Sequence, residues 1–163
     1  MPKNNQHYHY VLFILSLITI FSVISCNHDK QSDVAYDADA GCSDLISMSE
    51  QNINWINKYL IPDTIAVEDK NSYYRSMKRD GLGIKGNLSF ISLVTSLYTN
   101  DKNKLEVRKI RDELKGAVFK IYEFYYNHPV YSELKTGDLD ALTSYYISLV
   151  SNIKQLKKIK NEP

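Results

Sequence analysis

Gly81-Leu82-Gly83-Ile84-Lys85-Gly86 spells GxGxxG, the spacing that lets a backbone approach a pyrophosphate. That chemistry needs a strand before the loop and a βαβ unit around it. Here the polar stretch Lys78-Arg79-Asp80 precedes it, and no parallel-strand pattern surrounds it. The segment reads instead as a flexible interhelical loop with left-handed glycines, in which Lys85 could assist a backbone anion nest. His128 is the one histidine beyond position 28, so a Ser/His/Asp or Cys/His arrangement would have to use it. No GxSxG accompanies it. A histidine just past a helix end suits the negative pole of that helix, and capping is its expected role. Asp112-Glu113 and the Asp138/Asp140 pair resemble solvated helix faces more than a catalytic carboxylate pair. Zinc-ligand and EF-hand spacings are absent. The sequence therefore predicts no catalytic residue, no metal and no cofactor.

The cysteines carry a different chemistry. An uncharged apolar run, Val11 to Ser25, follows a short polar start containing Lys3 and stops at Ser25-Cys26. A membrane span needs about 20 apolar residues, and a signal-peptide core is shorter. Val23-Ile24-Ser25-Cys26 resembles the lipobox of bacterial lipoproteins: an aliphatic, a tolerant position, a small residue and the cysteine. The resemblance is confined to this processing segment. It implies that residues 1–25 are a cleaved signal peptide and that Cys26 becomes the acylated N-terminus, carrying diacylglycerol and a further acyl chain such as palmitate. Several chains anchor stably where one binds only marginally. Asn27, rather than aspartate, after the cysteine implies outer-membrane sorting in enteric-type envelopes. The alternatives are an uncleaved anchor and an ordinary signal peptide. The expected location is the cell membrane or outer membrane, with the domain facing the periplasm or the exterior. Acylation of Cys26 leaves Cys42 without an internal disulfide partner. The choice for Cys42 is a shielded thiol beside the first helix or a disulfide-linked dimer, and the first is favoured.

Removal of residues 1–25 takes away Lys3 alone among the charges, so Lys plus Arg falls from 20 to 19 against 19 Asp plus Glu. A balanced charge argues against a nucleic-acid partner. Many tyrosines and few Gly and Pro favour an ordered helical domain. Residues 26–42 include an acidic polar stretch without large apolar residues, and read as a flexible tether.

Residues 43–160 read as a helical domain and 161–163 as a tail. Apolar residues recur near a 3.6-residue period over Asp44–Leu60, Leu88–Tyr98, Lys104–Asn127 and Asp138–Lys160, with a thinner stripe over Ile65–Arg79. Ser43 or Asp44, Asp63, Asn87 and Asp138 are the expected starts, and Pro62, Asp80-Gly81 and His128-Pro129 the expected stops. The fold class expected is all-α, a bundle of four to five amphipathic helices.

On the fourth helix, Phe119 and Tyr126 lie seven residues apart and off the core stripe, with Arg108 and Lys115 on that flank and Tyr131 close in sequence. Aromatic side chains beside basic ones suit an interface. Phe119, Tyr126 and Tyr131 are therefore the expected partner-binding residues, and the alternative is that another part of the chain covers them. The function expected is a lipid-anchored, protein-binding envelope module of an immunity, exclusion or assembly-accessory kind. One alternative is an envelope enzyme, acting on peptidoglycan for example, with a carboxylate or His128 as acid/base. Another is a structural lipoprotein that self-associates.

Overall fold

The computed structural model describes residues 38–135 and 137–161. Cys26, the signal segment and most of the tether lie outside them. Among the described residues five α-helices pack as a bundle: α1 over 38–55, continuing through a π turn at Ile56–Leu60, then α2 (Val67–Gly83), α3 (Leu88–Leu97), α4 (Lys104–Asn127) and α5 (Asp138–Lys160). The all-α bundle is the expected fold class.

The long antiparallel pair α4 and α5 forms the centre. The buried face of α4 is Val107, Ile110, Leu114, Ala117, Val118, Ile121, Phe124 and Tyr125. All eight fall on the 3.6-residue period of apolar residues read over Lys104–Asn127. On α5 the face is Leu142, Tyr146, Leu149, Val150, Ile153 and Leu156, with Ile159 and Asn152 added. Burying these two stripes against each other removes the apolar surface that neither helix can hide alone.

Helix α1 departs from expectation in two ways. It already includes residues 38–42, assigned above to the tether, and Ala38 and Cys42 are buried. The lack of large apolar residues in that stretch hides a packing role, because Ala38, Gly41 and Cys42 are small enough for close approach. A Cβ on Gly41 would stand 2.4 Å from the Phe90 ring of α3. The core line of α1 is Ala38, Cys42, Leu45, Ser49, Asn52, Ile56 and Leu60. Ile46, Met48, Ile53 and Trp55 flank that line instead of leading it.

Two polar residues thus sit mid-core. Asn52 Nδ2 donates to the Tyr146 hydroxyl at 3.0 Å, and the Tyr146 and Tyr125 hydroxyls meet at 3.3 Å. This chain joins α1, α5 and α4 and supplies the partners that buried polar groups require. The Ser49 hydroxyl is buried without a partner among the described residues.

Burial pushes the Tyr146 phenol up to about 12 and holds that of Tyr125 well above its ordinary value. Both therefore keep protons that the unfolded chain releases near pH 10. The stability they confer is full below about pH 10 and falls as pH rises, each by about 1.4 kcal/mol per pH unit. For Tyr146 that fall ends near its folded value of about 12. Denaturant melts from about pH 8 to about pH 12 should show this slope, with tyrosinate absorbance from the pair appearing only on unfolding. Stability that is flat across that range would contradict the buried pair.

The segment between α2 and α3 is not the loop expected. Helix α2 runs to Gly83, a 3₁₀ turn occupies Ile84–Asn87, and α3 follows at once. Among the described residues positive φ occurs only at Gly137, which precedes α5 with φ 92°. Gly81 is helical because α2 lies on Tyr125 there: an added Cβ would stand 2.1 Å from the ring. Side-chain caps at Ser43 and Asn87 do not form. The Ser43 hydroxyl instead donates to the Asp39 carbonyl within α1, and Asn87 belongs to the 3₁₀ turn without a cap bond.

The lysines at the end of α5 reach across to α1. Lys154 pairs with Glu50 at 2.8 Å, Lys157 donates to Ser43 Oγ at 3.1 Å, and Lys160 bonds Asp39. Asp39 also accepts from the Tyr98 hydroxyl at 2.5 Å, and these two donors, Lys160 first, hold its carboxyl below the usual range.

Candidate functional site

Two turns of α4 carry aromatic side chains away from the core. Phe119 is 43% exposed and Tyr126 70% exposed. Tyr122, between them, is half-buried, and its ring stacks on Tyr126 with centroids 6.0 Å apart. Positions 119, 122 and 126 share a face because residues three and four apart are neighbours on a helix. Lys85, from the 3₁₀ turn, places its ammonium 4.2 Å from the Tyr122 centroid and 6.0 Å from that of Phe119. Such contacts hold the exposed ammonium of Lys85 against the aromatic row. Neither α2 nor the connection after Pro129 covers Phe119 and Tyr126, since both remain exposed.

Tyr131 does not join them. It lies in a 3₁₀ turn (Tyr131–Glu133), donates its hydroxyl to the Leu60 carbonyl at 2.9 Å, and packs edge-on against Tyr74. That corrects its expected place on the aromatic face: it ties the α4–α5 connection to the end of α1. The sequence reading did not single out Tyr122, and it placed Lys85 in a loop nest. The local spacing of Tyr122 with Tyr126 was the one available signal. Lys85 reaches α4 only through tertiary packing. Arg108 sits elsewhere, in a groove between α3 and α4 with Lys104 and Arg111.

His128 closes α4, as its position suggested. Its backbone N–H and its Nδ1 both meet the Phe124 carbonyl, at 3.0 and 2.9 Å, and the ring lies against Phe124. Nε2 faces Asp138 Oδ2 at 3.8 Å. Tyr74 donates to the His128 carbonyl at 2.8 Å, and Lys78 donates to that of Pro129 at 2.9 Å, so α2 clasps this helix end. The carboxylates singled out earlier are dispersed. Asp112 pairs with Arg111 at 3.0 Å, Glu113 with Lys109 at 3.8 Å, and Asp138 accepts the Lys135 N–H at 2.6 Å.

Cys42 is buried in α1, and burial raises its thiol to about 11. A neutral, shielded thiol is a poor nucleophile. Among the described residues no cluster of His, Cys, Asp and Glu could hold a metal, and no helix is long and apolar enough to cross a membrane.

No protein-family model matches the chain, and comparison with curated proteins and with solved structures finds no match.

Proposed function

We propose that the protein is a lipid-anchored module of the bacterial cell envelope, and that its helical domain binds another protein through the α4 face bearing Phe119, Tyr122 and Tyr126. The observation that carries the binding role is this exposed aromatic row with Lys85 against it. Stacked tyrosines offer large contact area at low entropic cost, and an adjacent cation favours a partner with acidic groups. The anchor rests on the Val23-Ile24-Ser25-Cys26 junction. Immunity towards an envelope-acting toxin, surface exclusion and assembly of an envelope machine are the roles that fit such a tethered binding domain.

One experiment addresses both halves. The chain is expressed with a photo-crosslinking phenylalanine at position 126, at 119, or at the exposed control position 68, each with Cys26 intact or as Cys26→Ala. With Cys26 intact, a palmitate analogue should label the protein, and positions 126 and 119 should give one discrete adduct absent from 68. Cys26→Ala should lose the label and accumulate precursor. Labelling that survives Cys26→Ala removes the anchor. Adducts that are identical at 68 and 126 remove the α4 face.

A further inference from the structure

At the end of the bundle nearest the π turn lies a pocket of about 430 Å³, between the α1–α2 connection, the first turn of α2 and the start of α5. Leu60, Ile61, Tyr131, Leu134 and Leu139 supply apolar wall, and Lys70 reaches into it. Lys70 is anomalous. It occupies the core face of α2, in line with Tyr74, Met77 and Gly81, and is only 7% exposed. Among the described residues its ammonium makes no hydrogen bond and no ion pair. Its one defined contact is the Tyr131 ring, 5.6 Å from Nζ to the centroid. The Tyr131 hydroxyl donates to the Leu60 carbonyl.

A lysine ammonium has three donors. The Lys70 stem is packed against the core, and its ammonium lines the pocket with no acceptor bonded to it among the described residues. An anionic oxygen entering the pocket would supply the missing partner. The exposed rim carries two carboxylates, Asp63 and Asp140, with Lys135. Those carboxylates oppose a multiply charged anion and can accept from an N–H group. Apolar side chains, the Lys70 cation and carboxylate acceptors in one pocket describe the complement of an amino acid or a peptide C-terminus. The volume suits a ligand of that size.

We propose that this pocket binds a small carboxylate with an apolar side chain and an amino or amide N–H, namely an amino acid or the C-terminal end of a short peptide, with Lys70 holding the carboxylate. The site is separate from the aromatic face of α4, and its fate does not depend on that reading.

The test is calorimetric titration of the full chain in non-ionic detergent with leucine, alanyl-leucine, alanyl-leucinamide and inorganic phosphate. At least one of the two free acids should bind saturably. Amidation of the carboxylate should weaken alanyl-leucine by about tenfold to a hundredfold, the loss expected for a charge-assisted hydrogen bond. Phosphate should bind more weakly than the better acid. Lys70→Met should abolish acid binding while melting close to the parent, because an apolar side chain of similar length keeps the packing of the lysine stem. No saturable binding by either acid overturns the proposal. So does equal binding of acid and amide, or phosphate as the best ligand. Retention of acid binding by Lys70→Met overturns the role of Lys70. The acid-to-amide comparison uses the unaltered chain, so it decides the matter even if the variant does not fold.

Discussion

Gly81→Ala is expected to destabilise the domain by about 3 kcal/mol or more, whereas Gly83→Ala, two residues further along the same motif, is expected to be neutral or stabilising. The Cβ added at position 81 would lie 2.1 Å from Cε2 and 2.2 Å from Cδ2 of Tyr125. Those are ring atoms of a fully buried side chain, not the loose end of a flexible one. The ring is held by Tyr74 and Phe124, each with centroids 5.6 Å away, and by the hydroxyl contact with Tyr146. Retreat from the new methyl therefore breaks the Asn52–Tyr146–Tyr125 chain or opens the α2–α4 contact. Gly83 has nothing within 4 Å of a built Cβ and has helical φ, −68°. Alanine there gains helix propensity of up to about 1 kcal/mol. Thermal melts of the two variants should separate by roughly 10 °C or more. Coincident melts would show that Tyr125 does not pack on α2 at Gly81.

Leu114→Asp should leave the domain unfolded at room temperature, with Glu123→Ala close to the parent. Leu114 is 1% exposed at the middle of the α4 core face. Deleting its side chain alone costs about 2–5 kcal/mol, and an unpaired carboxylate in its place adds a desolvation penalty. Together these approach the about 5–15 kcal/mol by which a small domain is stable. Glu123 is exposed on the opposite side, and its loss should stay within about 0.5 kcal/mol. Circular dichroism of both variants checks this. Equal helicity and equal melting would mean that the faces of α4 are exchanged.

The two experiments probe different layers of information. Leu114 was assignable from the chain alone: Ile110, Ala117 and Val118 at three- and four-residue spacing are apolar, Asp112, Glu113 and Lys115 around it are charged, and a helix must bury the apolar side. The same logic located α5 and the stop of α4 at His128-Pro129. It also picked out Phe119 and Tyr126, because aromatic residues outside a stripe that is already full have to face elsewhere. The fold class follows from these regularities, as they depend only on residues within a few turns of one another.

Tertiary structure decided the rest. The phase of α1 could not be read from its apolar residues, since its core line passes through Ser49 and Asn52. Asn52 can be buried there only because Tyr146 meets it from 94 positions along the chain. Tyr131 left the expected surface because the Leu60 carbonyl accepts its hydroxyl from the far end of α1. Gly81 sits in a phosphate-loop pattern, yet it is required by the Tyr125 ring that crosses it. Nothing in the sequence singles out Lys70; the fold alone places it against a pocket. Periodicity states that a helix has an inside. Which polar, small or charged residues that inside tolerates depends on what a distant segment presents to them, and only the packed chain brings the two together.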